Sequence, residues 1–167
     1  RRQRQLCIRD RRNYIQRMVN NKIECMRVAK KYGKDYWDGN RKFGYGGYKY
    51  IPGRWKPVAE ALIGNYSLTN NSNVLDVGCG NGVFTSLFSE FSPHVVGLDY
   101  SDHMVRRNPC GKVLRGQAEA LPFGTNSFDV AFVANVLHHT LDPQQVVDEL
   151  ARVARGHVVI VEPNRLN

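Results

Sequence analysis

From residue 73 onward, the chain alternates between short, almost unbroken apolar runs and segments whose apolar residues have helical spacing. Strands of this composition are typical of a parallel sheet that helices cover on both faces. The pattern predicts strands at NVLDV, HVVGLD, KVLRG, FDVAFVANV and HVVIVE, and helices at GVFTSLFSEF, after Ser101, and at DPQQVVDELARVAR. The predicted fold class is therefore α/β, with a doubly wound, mostly parallel sheet.

The last of these helices has the clearest start signals. Asp142 is expected to cap it, Pro143 to occupy its first turn, and Gln145 stands at the capping-box position. Because such caps satisfy amide groups that have no partner inside the helix, the prediction is most definite at this point of the chain.

The segment before the strands has a different pattern. Over residues 1–34, apolar residues recur every three or four positions between Arg and Lys, which predicts a basic amphipathic helix. Residues 36–55 interleave aromatic residues with Gly, Arg and Lys, which indicates irregular chain, and a short helix is predicted after Pro57. We therefore divide the chain into an amino-terminal extension, 1–72, and a core domain, 73–167.

Length and composition fit this division. A chain of 167 residues that is 42% hydrophobic suffices for one α/β domain with an appendage. No apolar run is long enough for a membrane span and the amino end lacks a signal-peptide core, so we expect a cytoplasmic protein. The four cysteines have no CxxC spacing, so we predict reduced thiols and no metal site.

The net charge of +9 resides in the amino-terminal segment. Residues 1–34 hold twelve Lys and Arg against Asp10 and Glu24, giving +10, and the rest of the chain carries −1. A solvated basic face, a surface for nucleic acid or another polyanion, and a membrane surface all fit this segment. The aromatic residues of 36–55 could likewise anchor a loop or contact a ligand.

The candidate chemistry lies around the first strand, in NVLDVGCGNG. Asp76 is followed by Gly78, Gly80 and Gly82, at the carboxyl end of the strand, where ligands of such sheets bind. Missing side chains would let a ligand approach the main chain, and amide groups could receive its acceptors. The spacing is G-x-G-x-G and not the G-x-G-x-x-G of dinucleotide sites, and the preceding acid favours a cationic or zwitterionic ligand.

A second acid, Asp99, ends the second strand in VVGLDYS. A carboxylate at this position can accept both hydroxyls of a ribose. Together, VLDVGCGNG, VVGLDYS, GQAEALPF and FDVAFVANVLHH resemble, over residues 73–162, the class I S-adenosylmethionine-dependent methyltransferases, in particular their small-molecule, methyltransferase type 11-like branch. The fold implied is a Rossmann-like methyltransferase sheet.

The resemblance implies S-adenosylmethionine as cofactor and S-adenosylhomocysteine as product. It places the amino acid end of the cofactor on Asp76 and the glycine turn, the ribose on Asp99, and the remainder of the cofactor on five further residues. The cofactor-binding residues so implied are Asp76, Gly78, Cys79, Gly80, Gly82, Asp99, Tyr100, Met104, Gln117, Ala118 and Asn135. Of these, Tyr100 and Met104 would flank the adenine, Gln117 and Ala118 would edge it, and Asn135 would lie beside the methionine portion. The family usually has an acid where Gln117 stands, so Glu119 is an alternative adenine acceptor.

Methyl transfer is a direct displacement, so alignment and, where needed, removal of a proton are the protein's tasks. His138 and His139 follow the fourth strand and are the candidate catalytic bases, although paired histidines could equally be structural. The loop lacks the Asn/Asp-Pro-Pro-aromatic pattern of enzymes that methylate base amines. A small-molecule or sugar- or lipid-linked acceptor is therefore predicted, with a nucleic-acid methyltransferase and an inactive cofactor-binding module as alternatives.

The family's sheet has seven strands, whereas this sequence ends in EPNRLN after the fifth predicted strand. An exposed apolar strand edge is one that proteins normally cover. We therefore expect a truncated sheet, whose fifth-strand edge is covered by further chain, by a protein partner or by a second copy.

Overall fold

The computed structural model describes residues 22–40, 43–44 and 51–162. The chain divides into two compact units, one within residues 1–49 and the other within residues 50–167. Each unit is described by itself.

The first unit contains two helices, α1 (Lys22–Lys31) and α2 (Lys34–Trp37). Helix α1 confirms the predicted basic helix over its own length, and the prediction for residues 1–21 lies outside the described residues. The apolar residues Ile23 and Met26 of α1 are exposed. The rings of Tyr36 and Trp37 meet edge to face, with centroids 4.9 Å apart.

The second unit begins with the predicted short helix, α3 (Lys56–Asn65), which starts at Lys56 and so includes Pro57. The elements that follow are β1 (Val74–Val77), α4 (Val83–Ser89), β2 (Val95–Asp99), α5 (Asp102–Arg107), β3 (Val113–Arg115), β4 (Phe128–Ala134), a 3-10 turn (Leu137–His139), α6 (Pro143–Val153) and β5 (Ala154–Val161). All five predicted strands and all three predicted helices of the core domain are present.

The five strands form one parallel sheet in the order β3-β2-β1-β4-β5. The chain starts at the centre, extends outward through β2 and β3, and returns to the other side of β1 through β4. The reversal between β1 and β4 is the switch point at which sheets of this type bind ligands at their carboxyl edge. The doubly wound α/β prediction is confirmed.

The sheet is buried on both faces, because side chains of a strand alternate between them. Leu75 and Val77 of β1 face one core cluster, which includes Val146, Leu150 and Val153 of α6. Val74 faces the other, with Ala59 of α3 and with Phe88 of α4. Asp76 shares the parity of Val74, which directs it toward α4 and not toward solvent.

Several element boundaries differ from the prediction, among them the end of β4 and the start of β5. Strand β4 ends at Ala134 and not at Val136, because Asn135 adopts φ +58°, a left-handed conformation that Asn tolerates. Helix α6 passes into β5 without a loop at Ala154. The Asp142 cap is confirmed, since its side chain accepts a hydrogen bond from the Gln145 amide, but the Gln145 side chain donates to the Glu119 carbonyl oxygen. That carbonyl lies in the loop after β3, which draws the Gln145 side chain away from the helix start.

Among the described helices, none has the length and apolarity to cross a bilayer. Among the described cysteines, Cys79 and Cys110 carry free thiols.

Candidate active site

Asp76 lies at the centre of the sheet and is buried, with 2% of its surface exposed. Its Oδ2 accepts a hydrogen bond of 2.7 Å from the Thr85 hydroxyl of α4. Burial disfavours the charged carboxylate, and the negative charge of Asp99 adds to this effect, so the pKa of Asp76 is raised to about 7 despite the bond from Thr85. A cation placed beside Asp76 would offset this effect, because a nearby opposite charge favours the ionised carboxylate.

Asp99, the last residue of β2, connects three parts of the site. Its Oδ2 accepts from the Gly80 amide at 2.8 Å, and its Oδ1 accepts from the Ser101 amide at 2.8 Å. Burial raises the pKa of Asp99, and the two amide bonds work in the opposite direction. Each carboxylate oxygen has a second lone pair, so both can still accept a hydrogen bond from a ligand hydroxyl.

The amide groups of the glycine turn bond within the protein. Those of Gly78 and Cys79 donate to the Leu98 carbonyl oxygen at 2.7 and 3.1 Å, and that of Gly82 donates to the Cys79 carbonyl oxygen at 3.0 Å. With the Gly80 amide bonded to Asp99, four amides that the sequence offered to a ligand are already used. The turn therefore provides a ligand with space, and with few hydrogen-bond donors.

The three glycines meet different surroundings, although all three have positive φ. A Cβ on Gly78 would clash with the Val136 side chain, and one on Gly82 would lie 2.4 Å from the Asn108 Oδ1. A Cβ on Gly80 would meet nothing within 4 Å. Only at Gly80, then, does the missing side chain leave open space for a ligand, and the other two glycines make room for the protein itself.

Cys79, inside the turn, is buried and packs toward β2, where a Cβ on Gly97 would lie 2.9 Å from its sulfur. Burial, together with the charges of Asp76 and Asp99, raises the pKa of the Cys79 thiol. The thiol is therefore protonated at neutral pH.

The residues expected around an adenine follow β2 and β3. Tyr100 is half exposed, with 51% of its surface accessible, whereas Met104 is buried on α5, whose first turn Ser101 caps. Gln117 is exposed and forms an isolated bridge with Ala120, and Ala118 is buried in the core. These residues are placed along the carboxyl edge of β2 and β3, on the same side of the switch point as Asp99.

The chain between Leu121 and Phe123, next along from these residues, is held by a pair of charges on α6. Arg152 donates to the carbonyl oxygens of Leu121 and Phe123 at 3.0 and 2.8 Å, and Glu149 accepts from the Leu121 amide at 2.7 Å. Arg152 and Glu149 are also bonded to each other at 2.7 Å. The Glu149 carboxylate and the Arg152 guanidinium thus both fix the main chain that follows the residues expected around the adenine.

His138 and His139 lie in the 3-10 turn that follows β4, and not in irregular loop. Their ring centroids are 4.0 Å apart. The His138 Nδ1 lies 2.6 Å from the Glu162 Oε2, while the Glu162 Oε1 accepts from the amides of Val136 and Leu137 at 2.7 and 2.8 Å. A single carboxylate at the end of β5 therefore holds both the turn and one histidine ring.

Partial burial works against the charge of Glu162, but the hydrogen bonds from His138, Leu137 and Val136 outweigh it, so its pKa is lowered. Glu162 is therefore ionised at neutral pH and can only accept hydrogen bonds. A neutral His138 consequently carries its proton on Nδ1 and presents a lone pair on Nε2. Asn135, just before this turn, is exposed and donates its amide to the Val161 carbonyl oxygen at 2.8 Å.

Three side chains that the sequence analysis did not select belong to this site: Thr85, Asn108 and Glu162. Glu162 had a usable signal, since it ends an apolar strand as Asp99 does. Thr85 had none, because an inward-facing Thr on a helix is ordinary. Asn108 had only a weak one, a polar residue before Pro109 at the end of a helix.

The chemistry of the site fits a nucleoside with a cationic group. Two buried carboxylates lie at the carboxyl ends of neighbouring strands, and open space beside Gly80 adjoins them. Among the residues that the structure describes, no group of three or more His, Cys, Asp or Glu is arranged to hold a metal ion.

Comparison with known proteins identifies the family. The family described as "Methyltransferase domain" matches residues 75–161, just over half of the chain. A demethylmenaquinone methyltransferase of Renibacterium salmoninarum is 31% identical over 115 residues, which cover 65% of this chain and 47% of that protein. A probable S-adenosylmethionine-dependent methyltransferase of Mycolicibacterium smegmatis is 34% identical over 100 residues, which cover 56% of this chain and 39% of that protein.

The chain thus spans less than half the length of these two relatives. Among solved structures, the YcgJ protein from Bacillus subtilis matches with a TM-score of 0.59 and 28% identity, over 62% of this chain and 49% of that chain. The family match over residues 75–161 includes the glycine turn and both carboxylates. The chain belongs to the class I S-adenosylmethionine-dependent methyltransferases, whose cofactor is S-adenosylmethionine.

Proposed function

We propose that this protein transfers a methyl group from S-adenosylmethionine to a small-molecule or sugar- or lipid-linked acceptor by direct displacement. The observation that carries the proposal is the pairing of Asp76 and Asp99 across the glycine turn at the switch point of the sheet. S-adenosylmethionine, when bound, supplies a methyl group on a positively charged sulfur.

Each carboxylate has a separate role in holding the cofactor. Asp76 binds the ammonium group of the amino acid end, because a buried carboxylate is stabilised in its charged form by a nearby cation. Asp99 accepts the ribose hydroxyls with the lone pairs that Gly80 and Ser101 leave available. The backbone of the turn lies against the cofactor at Gly80, and Tyr100, Met104, Gln117, Ala118 and Asn135 line its remaining length.

His138 is the base where the acceptor must lose a proton. Its bond to Glu162 fixes the ring and leaves Nε2 as the proton acceptor. A general base needs such an oriented lone pair within reach of the proton that it removes. His139 lies against the His138 ring and is the second candidate base.

The acceptor class rests on the 3-10 turn. The sequence ANVLHH, which ends in this turn, lacks the pattern of enzymes that methylate base amines. The relative from Renibacterium salmoninarum is named for demethylmenaquinone, which makes quinol-type compounds one group of small molecules to assay.

Two measurements test the proposal. Calorimetry should detect S-adenosylhomocysteine binding, and labelled S-adenosylmethionine should methylate a component of a pooled metabolite extract. Asp99→Ala should weaken binding by about 1 to 3 kcal/mol for each ribose hydroxyl left unpaired. Asp102→Ala, which removes an exposed carboxylate three residues away, is the matched control and should bind normally. Unchanged affinity in Asp99→Ala would contradict the ribose assignment, and binding without turnover would indicate an inactive cofactor-binding module.

A nucleic-acid acceptor is the second candidate. The charge of +10 within residues 1–34 and the exposed Lys and Arg side chains of α1 favour this candidate. Including RNA in the labelling assay separates the two, because only this candidate expects label in RNA.

A further inference from the structure

Asn108 lies where α5 ends, four residues after Met104. Its amide bonds to the Val105 carbonyl oxygen, and its backbone is extended, with φ −73° and ψ 121°. Pro109 follows, and a residue before proline is held away from the helical conformation. The helix therefore stops at Asn108, and the half-buried side chain is directed by a stiff backbone.

The Asn108 side chain reaches the glycine turn, 28 positions earlier in the chain. Its Nδ2 donates to the Gly80 carbonyl oxygen at 3.3 Å and contacts the Cys79 sulfur at 3.4 Å. Its Oδ1 accepts from the Cys110 amide at 3.0 Å, which fixes the orientation of the amide group. Both ends of the side-chain amide are thus used.

This contact explains the third glycine of the turn. A Cβ on Gly82 would lie 2.4 Å from the Asn108 Oδ1, and Gly82 has φ +89°. A side chain at position 82 would displace the Asn108 amide as well as strain the backbone. Gly82 is accordingly required by Asn108.

Gly80 is consequently held from two sides. Asp99 accepts its N–H at 2.8 Å, and Asn108 donates to its C=O. Beyond these two bonds, the Gly80 carbonyl oxygen accepts a longer bond from the Cys79 thiol at 3.9 Å. Gly80 has φ +54°, and open space lies where a Cβ would stand. Without the Asn108 bond, the Gly80 carbonyl could rotate into that space, which is the space that a ligand would fill.

We propose that Asn108 is a positioning residue that holds the glycine turn in its cofactor-binding shape. The expected effect of Asn108 on cofactor binding rests on the proposed function. The expected effect of Asn108 on the conformation of the glycine turn does not depend on a ligand.

Asn108→Asp is the sharpest test, because it keeps the size of the side chain and the acceptor for Cys110 while replacing the donor to Gly80 by an oxygen. Two oxygens facing each other repel, so the turn should open. We expect S-adenosylhomocysteine to bind about tenfold more weakly, corresponding to ~1.4 kcal/mol. Asn108→Ala, which adds no charge, should weaken binding to a similar degree.

Hydrogen exchange in the ligand-free protein provides the second readout. The amides of Gly80 and Gly82 should exchange about tenfold faster in both variants, while buried amides of β1 and β2 exchange at unchanged rates. A merely structural role would instead accelerate exchange throughout the sheet. Asn71→Asp, the same substitution in an exposed loop, is the matched control and should alter neither measurement.

Unchanged exchange at Gly80 and Gly82 would overturn the proposal, and so would unchanged affinity in both variants when the unaltered protein binds. If the unaltered protein does not bind S-adenosylhomocysteine, the proposed function fails, and the exchange rates alone decide whether Asn108 holds the turn.

Discussion

At the scale of single residues, Asp76 shows how a strand can place a charge where water is excluded. The alternation of β1 directs its carboxyl toward α4, where Thr85 supplies one hydrogen bond. Burial at this position disfavours the charged form of the Asp76 carboxyl, whose pKa is about 7 in place of 3.8. A residue so unfavourable to the fold by itself is expected to serve a ligand.

The pH dependence of stability tests this account. The folded pKa is raised above the unfolded value, so the folded state retains a proton that the unfolded state loses between about pH 4 and pH 7. Across that window Asp76 should lower the free energy of unfolding by up to about 1.4 kcal/mol per pH unit, and above it the effect is constant. In urea unfolding of the ligand-free protein, the free energy of unfolding should therefore fall relative to that of Asp76→Asn as the pH rises through this window.

The difference between the two proteins is the relevant quantity, because other carboxyls also titrate. The pKa values of Asp129 and Glu162 are lowered, so their protonation at acid pH reduces the free energy of unfolding, which is the opposite pH dependence from that of Asp76. This contribution is equal in both proteins. Parallel stability curves for Asp76→Asn and the unaltered protein would show that the buried carboxyl does not carry the shift.

At the scale of elements, the connection between β4 and α6 depends on the end of β5. Glu162 accepts two amides of the 3-10 turn and faces the His138 ring. The neighbouring strands β4 and β5 pair in parallel, so their carboxyl ends lie side by side and a glutamate on one can reach the turn after the other. The position of His138 is thus fixed by a strand that comes 24 residues later.

Glu162→Gln should separate the two tasks of this carboxylate. The Gln carbonyl can still accept from Val136 and Leu137, so the unfolding free energy should change little. Its amide group would donate to the His138 Nδ1 and move the histidine proton to Nε2. Nitrogen NMR should detect this change of tautomer, and kcat for the acceptor found by labelling should fall by about 10²- to 10⁴-fold, with little change in cofactor affinity.

Glu60→Gln, an exposed substitution on α3, provides the comparison and should leave both the tautomer and kcat unchanged. If kcat survives in Glu162→Gln although the tautomer has changed, His138 is not the base.

At the scale of the whole molecule, charge and fold are separated along the chain. The family match covers residues 75–161, whereas the excess positive charge lies in residues 1–34. On α1, the side chains of Arg27, Lys30 and Lys31 are exposed. The proposed polyanion surface and the proposed cofactor site are therefore expected to respond to different substitutions.

Replacing Arg27, Lys30 and Lys31 by Glu should weaken binding of single-stranded RNA and reduce its dependence on salt, because fewer counterions are released. Affinity for S-adenosylhomocysteine should not change. A variant that keeps the charges, with Arg27→Lys, Lys30→Arg and Lys31→Arg, should bind RNA as the unaltered protein does. RNA affinity that is insensitive to both salt and charge reversal would remove the nucleic-acid interpretation.

Much of the fold was predictable because its signals are local. Each strand of the core is an apolar run, and each helix has its own spacing and caps, so element type followed from neighbours in sequence. Boundaries were less predictable: β4 stops at Asn135 because of a single left-handed residue, and α6 enters β5 directly. The assignment of Asp76 and Asp99 to one edge also followed from sequence, since both stand at or next to the end of an apolar strand.

The sequence by itself determined the α/β class, the five strands and the two acids beside a glycine turn, because these depend on residues a few positions apart. Only the tertiary structure decided that Gly78 and Gly82 make room for Val136 and Asn108, that Gly80 alone of the three adjoins open space, and that Glu162 orients His138. Those contacts join residues that are 24 or more positions apart. Their existence depends on the order in which the strands pair, which no local pattern of apolar and polar residues specifies.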